Sequence, residues 1–413
     1  MDRVILHSDC NCFYASVECA LNPSLKGKAI AISGDPEKRH GIILTKSEEA
    51  KKYGVKTGEP IWQAKQKCPH LITLPPNFNK YIEYSKKAKE IYYSYTDMVE
   101  SFGLDEAWLD VTGSKKLFGN GVEIAKKISN RIKNELDITV SIGVSYNKIF
   151  AKIGSDYKKP DAITYISKDN YKKIVWELPC EDLLYVGKAT KAKLNKLGIF
   201  TIGQIANCPI NILRSNLGKW GEILHTFANG NDKSTVSIYN QQSTVKSIGN
   251  STTTPRDLTN LTDVKIVMSV LADSVARRLR EQGLVCSAVG VSVRDNKLCS
   301  FTRQTQLISV TDITEEILNI ALELVAKSFS FNNGIRSIGI TAQGLSCKES
   351  GMQLSIFDDN KNRLRKEAID SVTDKLKSRY GDYIIMPALM LKDTALSSFN
   401  PKAEHTVHPV GFF

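Results

Sequence analysis

Short apolar runs alternate with longer stretches in which apolar residues recur at helical spacing, so the first part of the chain predicts strands and helices taken in turn. Residues 4–8 read as a buried strand and 11–21 (NCFYASVECAL) as a helix stopped by Asn22 and Pro23. Strands over 29–33 and 41–45 follow. A short basic helix, SEEAKKYG, closes at Gly54, Pro60 opens another, IWQAKQKC, and 79–96 forms a long amphipathic helix. Residues 99–112 predict a hairpin, 121–136 a helix, 139–145 a strand, and 147–157 a helix carrying Lys148 and Lys152. Strands alternating with crossing helices predict a mixed sheet with helices on one face.

Between residues 168 and 233 the pattern turns short and helical, with a repeated theme. YVGKATKAKLNKLGI and NLGKWGEILHTFANG each place Gly-Lys at a tight turn before an amphipathic helix. This resembles the helix-hairpin-helix module, in which backbone N–H groups at the turn grip a phosphate and nearby lysines neutralise it. One glycine turn would be only a turn. Two, the first at Gly187-Lys188 followed by Lys191, Lys193 and Lys196, the second at Gly218-Lys219, favour sequence-independent duplex binding. Residues 234–244 are polar and read as a linker. Beyond them a strand (246–253), a helix (264–282), strands (287–295 and 298–306), a helix (314–328) and a strand (335–344) give the βαββαβ order of a split-βαβ sandwich. Lys246, Ser247, Arg294 and Arg303 on those strands suit a phosphate backbone, and a solvated sheet face reads almost as well. Residues 364–381 predict a last helix, and 384–413 show no clear period.

Carboxylates interrupt this apolar pattern in two places. The run VESFGLDEAWLDVT holds Asp105 and Glu106 side by side, and Asp9 ends the strand VILHSD. Buried acids of like charge are costly unless a cation lies between them. Neighbours on a straight strand point to opposite faces, so both reach one ion only if the chain bends, as in a hairpin with Gly103 near its tip. An isolated Asp-Glu pair would as readily be two solvated acids at a turn; a third acid on another strand end favours a shared divalent metal.

Over 413 residues, two to four domains are expected. The formal charge of +12 fits a polyanionic partner. Nine scattered cysteines without a CxxC pair, and six histidines without HxxxH spacing, argue against disulfides and against a zinc hydrolase. No apolar run nears the roughly 20 residues that span a bilayer, and the N-terminus lacks the pattern of a signal peptide, so a cytoplasmic protein without membrane contact is expected.

DCNCFYASVE (9–18), GVKTGEPIWQAK (54–65), GLDEAWLD (103–110) and SIGVSYNKIFAKIGSDYKKP (141–160) together resemble the Y-family DNA polymerases, in particular the DinB-like (polymerase IV) branch. The likeness runs in order over about 4–344. Gln353, Leu354, Ser355, Ile356 and Phe357 resemble the peptide that binds the bacterial sliding clamp. The resemblance implies a multidomain α/β and α+β right hand: a palm with inserted fingers over 1–167 (fingers about 25–78), a helical thumb over 168–233, a linker over 234–244, a little finger over 245–348, and a tail over 349–413. It implies template-directed, low-fidelity translesion DNA synthesis without proofreading. The implied partners are primer-template DNA, deoxynucleoside triphosphates and the sliding clamp, for a protein acting as a monomer.

The resemblance further implies that Asp9, Asp105, Glu106 and the carbonyl of Cys10 hold two Mg²⁺ ions, with Mn²⁺ the alternative. Thr45, Lys51 and Lys159 match its triphosphate-binding positions and Tyr14 its steric gate against a 2′-hydroxyl, while Phe13 packs against the sugar or base. Three positions depart from the family pattern. Asn11 stands where Asp is frequent, Glu48 where a phosphate-contacting Tyr is usual, and Lys51 where Arg is usual. An acid near a triphosphate repels it unless it is neutralised by Lys46, Lys51 or Lys52 or turned away, and lysine lacks the bidentate fork of arginine, so a weaker nucleotide affinity or another triphosphate grip is expected. The competing readings are a non-catalytic DNA- and clamp-binding scaffold, which should lack part of the acidic triad, and a nucleotide cyclase, which would not explain the paired Gly-Lys turns.

Overall fold

The run Ile5–Cys10 is buried at every position because both faces of the strand it forms are covered. The computed structural model describes residues 3–37, 39, 41–238, 244–348 and 360–401, which divide into two compact units. In chain order the first contains β1 (Ile5–Cys10), α1 (Phe13–Leu21), β2 (Ile30–Ser33), β3 (Ile43–Lys46), α2 (Glu48–Lys52), α3 (Ile61–Lys67), β4 (Ile72–Leu74), α4 (Phe78–Tyr93), β5 (Val99–Phe102), β6 (Glu106–Asp110), α5 (Lys115–Phe118), α6 (Gly121–Leu136), β7 (Val140–Ser145), α7 (Lys148–Tyr157) and β8 (Ile163–Tyr165). Five short helices complete it: α8 (Tyr171–Val175), α9 (Lys188–Lys196), α10 (Ile202–Asn207), α11 (Ile210–Leu217) and α12 (Lys219–Ala228).

β1 is the middle of a five-stranded sheet ordered β5-β6-β1-β7-β8, antiparallel except for β7 and β8. β2, β3 and β4 form a separate three-stranded sheet over a small core of Ala31, Ile43, Ala50, Val55, Ala64 and Leu71. β4 and β8 are three residues each, too short to show a period in the sequence.

The pleat divides the main sheet cleanly. Leu6 and Cys10 of β1, with Leu109, Val140, Ile142 and Val144, enter a core with Val17 of α1, Tyr81 and Ile91 of α4, and Ile124 and Ile128 of α6. Ile5, His7 and Asp9 point the other way, beside Trp108, Glu106, Gly143 and Ser141 of the flanking strands. The expected single layer of helices is therefore corrected, since α7 packs on this second face. Gly143 is what admits it: a Cβ there would lie 1.9 Å from the Ala151 carbonyl oxygen and 2.6 Å from the Ser155 nitrogen. The outer side of α7, through Ile149, Phe150 and Ile153, enters the core of α8–α12 with Val175, Leu194 and Leu213.

The expected linker is not free at its start. Val236 is buried with Ile5, Trp108 and Ala151, and the Ser237 N–H donates to Glu100 Oε2 at 2.9 Å.

The second unit contains β9 (Ser247–Leu258), α13 (Leu261–Glu281), β10 (Leu284–Asp295), β11 (Ser300–Thr311), α14 (Thr314–Ser328) and β12 (Ile335–Cys347), in the predicted βαββαβ order. Its antiparallel sheet runs β11-β10-β12-β9, and α13 and α14 cover one face over Val289, Val291, Val293, Ile338 and Ile340. The last long helix, α15 (Asn360–Tyr380), is held by charge: Arg280 Nε lies 2.6 Å from Asp374 Oδ2, and Lys377 Nζ 2.8 Å from Asp273 Oδ2. After it Leu389, Leu396 and Phe399 pack back on the α13 core; Leu396 belongs to the short α16 (Thr394–Ser397). Among the described residues no helix is long and apolar enough to cross a membrane.

The close approach at Gly143 gives a stability prediction. Gly143→Ala should destabilise the first unit by on the order of 3 kcal/mol, because both nearby atoms are backbone and cannot rotate away. A thermal melt reports the loss, and an unchanged melt would mean that α7 shifts freely on the sheet.

Candidate active site

Asp9 lies directly across from Glu106 in the ladder between β1 and β6. Both point to the α7 face. The turn between β5 and β6 is closed by the pairing of Phe102 with Glu106 and bends at Gly103, whose φ of +81° favours glycine. Asp105 ends that turn, and its carbonyl accepts from the Cys10 N–H at 3.0 Å. α4 fastens the same turn, with Lys89 Nζ donating to the Gly103 carbonyl at 3.2 Å. The predicted hairpin and its bend at Gly103 are present, and they set Glu106 across from Asp9 with Asp105 next to it in the chain.

Two lysines of α7 and its exit stand among these acids. Lys159 Nζ lies 2.7 Å and Lys152 Nζ 3.2 Å from Asp9 Oδ2. Lys152 Nζ also lies 2.9 Å from Glu106 Oε2 and 3.1 Å from Asp156 Oδ2. Behind them His7, wholly buried, contacts Ser155 Oγ through Nδ1 at 2.8 Å and brings Nε2 to 3.2 Å from Glu106 Oε2, off the line of a hydrogen bond. Burial pushes the imidazole down to about 4, so it is neutral at pH 7.

The carboxylates differ in charge state. Burial, then the charges of Glu106 and Asp9, push Asp105 up to about 6. Burial raises Asp9 as well, against the pull of Lys152. For Glu106 burial is outweighed by the Lys152 ammonium, which holds it below the usual carboxylate range. Burial acts to lower Lys152, and the three acids around it more than reverse that.

These residues fit divalent cations. The donors are carboxylate oxygens, the set preferred by hard ions, and Glu106 Oε2 is buried with no hydrogen bond. Among the described residues no three His, Cys, Asp or Glu side chains already converge on one point, as the lysine ammonium groups lie between the acids.

Of the residues expected near the nucleotide, Lys159 contacts Asp9 and Tyr14 feels the charge of Asp105. Tyr14 is stacked on Tyr81, with centroids 4.3 Å apart and planes at 11°, and burial, then Asp105, raises its hydroxyl. Phe13, next to it, is only 3 % exposed within the α1/α4 core. The expectation that it touches the nucleotide is corrected, because a ring sealed between two helices serves packing. Thr45 is on β3 and Lys51 on α2. Glu48 Oε1 accepts from Cys12 Sγ at 3.2 Å, which ties α2 to the chain three residues past Asp9, and Lys51 Nζ stands 3.6 Å from Glu48 Oε2. Asn11 is used structurally: its Nδ2 donates to Thr139 Oγ1 at 3.0 Å and its Oδ1 accepts from Ser141 Oγ at 2.8 Å.

The impB/mucB/samB family model matches residues 8–156, and the model of the C-terminal domain of that family matches 245–356. A relative in Acetivibrio thermocellus named DNA polymerase IV is 49% identical over 397 residues, 96% of this chain and 100% of its own length. The chain belongs to the impB/mucB/samB family. DNA polymerase IV 1 of Bacillus subtilis is 38% identical over 406 residues, 96% of each protein. A solved Y-family DNA polymerase chimera is similar in fold, with a TM-score of 0.73 at 25% identity, covering 83% of this chain and 99% of that one. The resemblance to Y-family, DinB-like polymerases therefore holds over nearly the whole chain, and the fold is that of a right-hand polymerase.

In this impB/mucB/samB chain the residues expected to meet DNA fall in separate places. Gly187 caps α9 and Gly218 caps α12, and both, with Lys188 and Lys219, are exposed. Ser247 and Arg294 share the helix-free face of the second unit's sheet with Ser251, Ser292, Gly339, Thr302 and Gln304. Arg303 does not join them. It pairs with Val291 on the helix-covered face and lies over the Phe301 ring, 5.5 Å from its centroid. Lys246, also exposed, precedes β9, and Gln353, Leu354, Ser355, Ile356 and Phe357 lie outside the described residues. The sequence reading missed His7, Lys152 and Asp156 as site residues. For the last two a signal existed, as Lys148, Lys152 and Asp156 recur at helical spacing on one face of α7.

The raised Asp105 sets a pH dependence. Between about pH 4 and 6 the folded protein keeps a proton that the unfolded chain has released, so stability falls as pH rises through that window and stays reduced above it. Asp105→Asn removes the buried charge. In protein stripped of metal it should gain on the order of 1 to 2 kcal/mol near neutral pH, a gain that fades below about pH 4. Urea melts at both pH values measure this, and destabilisation near neutral pH would contradict it.

Proposed function

We propose that this chain is a template-directed DNA polymerase of the translesion type, extending a primer 3′-hydroxyl with deoxynucleotides and releasing pyrophosphate. The observation that carries the reading is the ladder pairing of Asp9 with Glu106, with Asp105 at the adjoining turn and two lysines among the three acids. Divalent cations, Mg²⁺ in the first place, would be held by these acids; bound there, they lower the pKa of the 3′-hydroxyl and offset charge on the leaving pyrophosphate. In the reaction the 3′-oxygen bonds to the α-phosphorus and the bond to the β-phosphate breaks.

The remaining roles belong to the chain's own side chains. Lys159 leaves Asp9 for the triphosphate, where Thr45 and Lys51 add a hydroxyl and a second ammonium. Lys152, bridged to Asp9, Glu106 and Asp156, stays as a fixed positive charge. Tyr14, braced by the Tyr81 ring, presents its edge to the sugar and excludes a 2′-hydroxyl. We assign the palm to 1–167 with fingers at about 25–78, the thumb to 168–233 and the little finger to 245–348. The Gly-Lys turns of the thumb and the Ser247/Arg294 face of the little finger lie along the duplex backbone, and Gln353–Phe357 docks on a sliding clamp. The protein acts as a cytoplasmic monomer.

A primer-extension assay tests the reading. Asp9→Ala, Asp105→Ala and Glu106→Ala should each lower kcat by on the order of 10³-fold while duplex affinity changes little. Full extension by Asp105→Ala and Glu106→Ala would remove these acids from the chemistry, and no extension by the parent protein would leave only a DNA-binding scaffold.

A second prediction concerns the departure at position 48. Lys51 faces Glu48 before any triphosphate arrives, so Glu48→Tyr should free it and lower the nucleotide KM by about two- to fivefold. An unchanged KM in steady-state kinetics would remove Glu48 from the site.

A further inference from the structure

Tyr185 has a φ of +71°, a backbone conformation that bulky side chains rarely adopt. Burial does not account for it, because the residue is 40 % exposed. Its ring instead leans on Trp220, itself 45 % exposed, with centroids 5.5 Å apart at 51°, and reaches Phe227 at 6.3 Å. Tyr185 precedes Gly187 by two residues, and Trp220 follows Gly218 by two. The ring contact therefore joins the two Gly-Lys turns, which otherwise belong to different helix pairs. Both glycines face open space, since a Cβ at either would meet nothing within 4 Å. At Gly187, with an ordinary φ of −79°, neither packing nor the backbone calls for glycine.

We propose that Tyr185 and Trp220 form a positioning clasp that fixes the spacing of the two Gly-Lys turns, so that both grip the phosphate backbone of one duplex as a unit. This rests on the reading of the turns as phosphate contacts made above. Two weak grips at a fixed spacing act together, because the second closes without a new search or a new ordering cost. The unusual backbone at Tyr185 thus coincides with the contact its ring makes on Trp220.

The test uses the full-length protein and a labelled primer-template duplex, with affinity followed over a salt series. Tyr185→Gly suits the backbone at φ +71° and should melt no lower than the parent, yet bind duplex roughly 3- to 10-fold more weakly, as loss of an aromatic pair predicts. Trp220→Ala should show a similar loss. The double variant should lose no more than either single, and the loss should fall on the KM for duplex more than on kcat. Both should keep the slope of log affinity against log salt, because no cation is removed. Unchanged binding by Tyr185→Gly and Trp220→Ala overturns the clasp, and so do additive losses, which would mean that each ring touches DNA by itself. Lys188→Ala and Lys219→Ala test the turns separately, each lowering the slope by about one. If those slopes stay put, the reading of the turns fails and takes the clasp with it, whereas a fall in slope with normal Tyr185→Gly binding sinks the clasp alone.

Discussion

Two carboxylates facing each other across a β-ladder repel, and the first unit is built around answering that repulsion. Asp9 and Glu106 cannot separate, since their backbones are locked by the hydrogen bonds of β1 and β6. Counter-charge has to come from outside the sheet, and Lys152 supplies it from α7 while bonding Asp156 on the next turn of the same helix. α7 reaches that position only because Gly143 has no side chain. One glycine, one helix and two ammonium groups thus make a tolerable fold of this cluster of acids.

The same cluster is linked outward by single polar contacts. The Cys10 amide holds the Asp105 turn, Asn11 bridges to β7, and Cys12 reaches Glu48 on α2. Three consecutive residues after Asp9 therefore tie the acids to the hairpin, to the neighbouring strand and to the helix that follows the strand carrying Thr45. The left-handed backbone at Cys12 is where the chain turns from strand to helix to make this possible. Asn11 in place of an acid is understandable in these terms, because its amide donates to Thr139 and accepts from Ser141, while a further carboxylate would add to the repulsion.

The second unit solves a different problem with the same pleat. Its helix-covered face is valine and isoleucine, and its open face is serine, threonine, glycine and glutamine around Arg294. Small polar side chains keep that face flat, and hydroxyl and amide donors suit an anionic backbone without demanding a base sequence. α15 is fixed to the other side by arginine and lysine pairs rather than by apolar burial, which leaves Leu364, Ile369 and Val372 exposed.

Much of this was legible along the chain. The strand at Ile5–Cys10, the bend at Gly103 and the βαββαβ order follow from local periodicity and turn chemistry, which depend on neighbours in sequence. The three acids stood out because charge inside an apolar run contradicts its surroundings, and that conflict is visible in one dimension. What the tertiary structure alone decided is who answers the charge and which side each residue faces. Lys152 looks like any helical lysine until α7 is laid on the second face of the sheet, and His7 looks like a core residue until Glu106 is opposite its neighbour. Phe13 and Tyr14 are adjacent aromatics, yet the rotation of α1 seals one and leaves the other beside Asp105. Arg303 and Arg294 differ only by register, which strand pairing sets. Sequence determined the elements and the chemistry available, because those are local; packing determined partners, faces and charge states, because these depend on contacts between residues that are not neighbours in the chain.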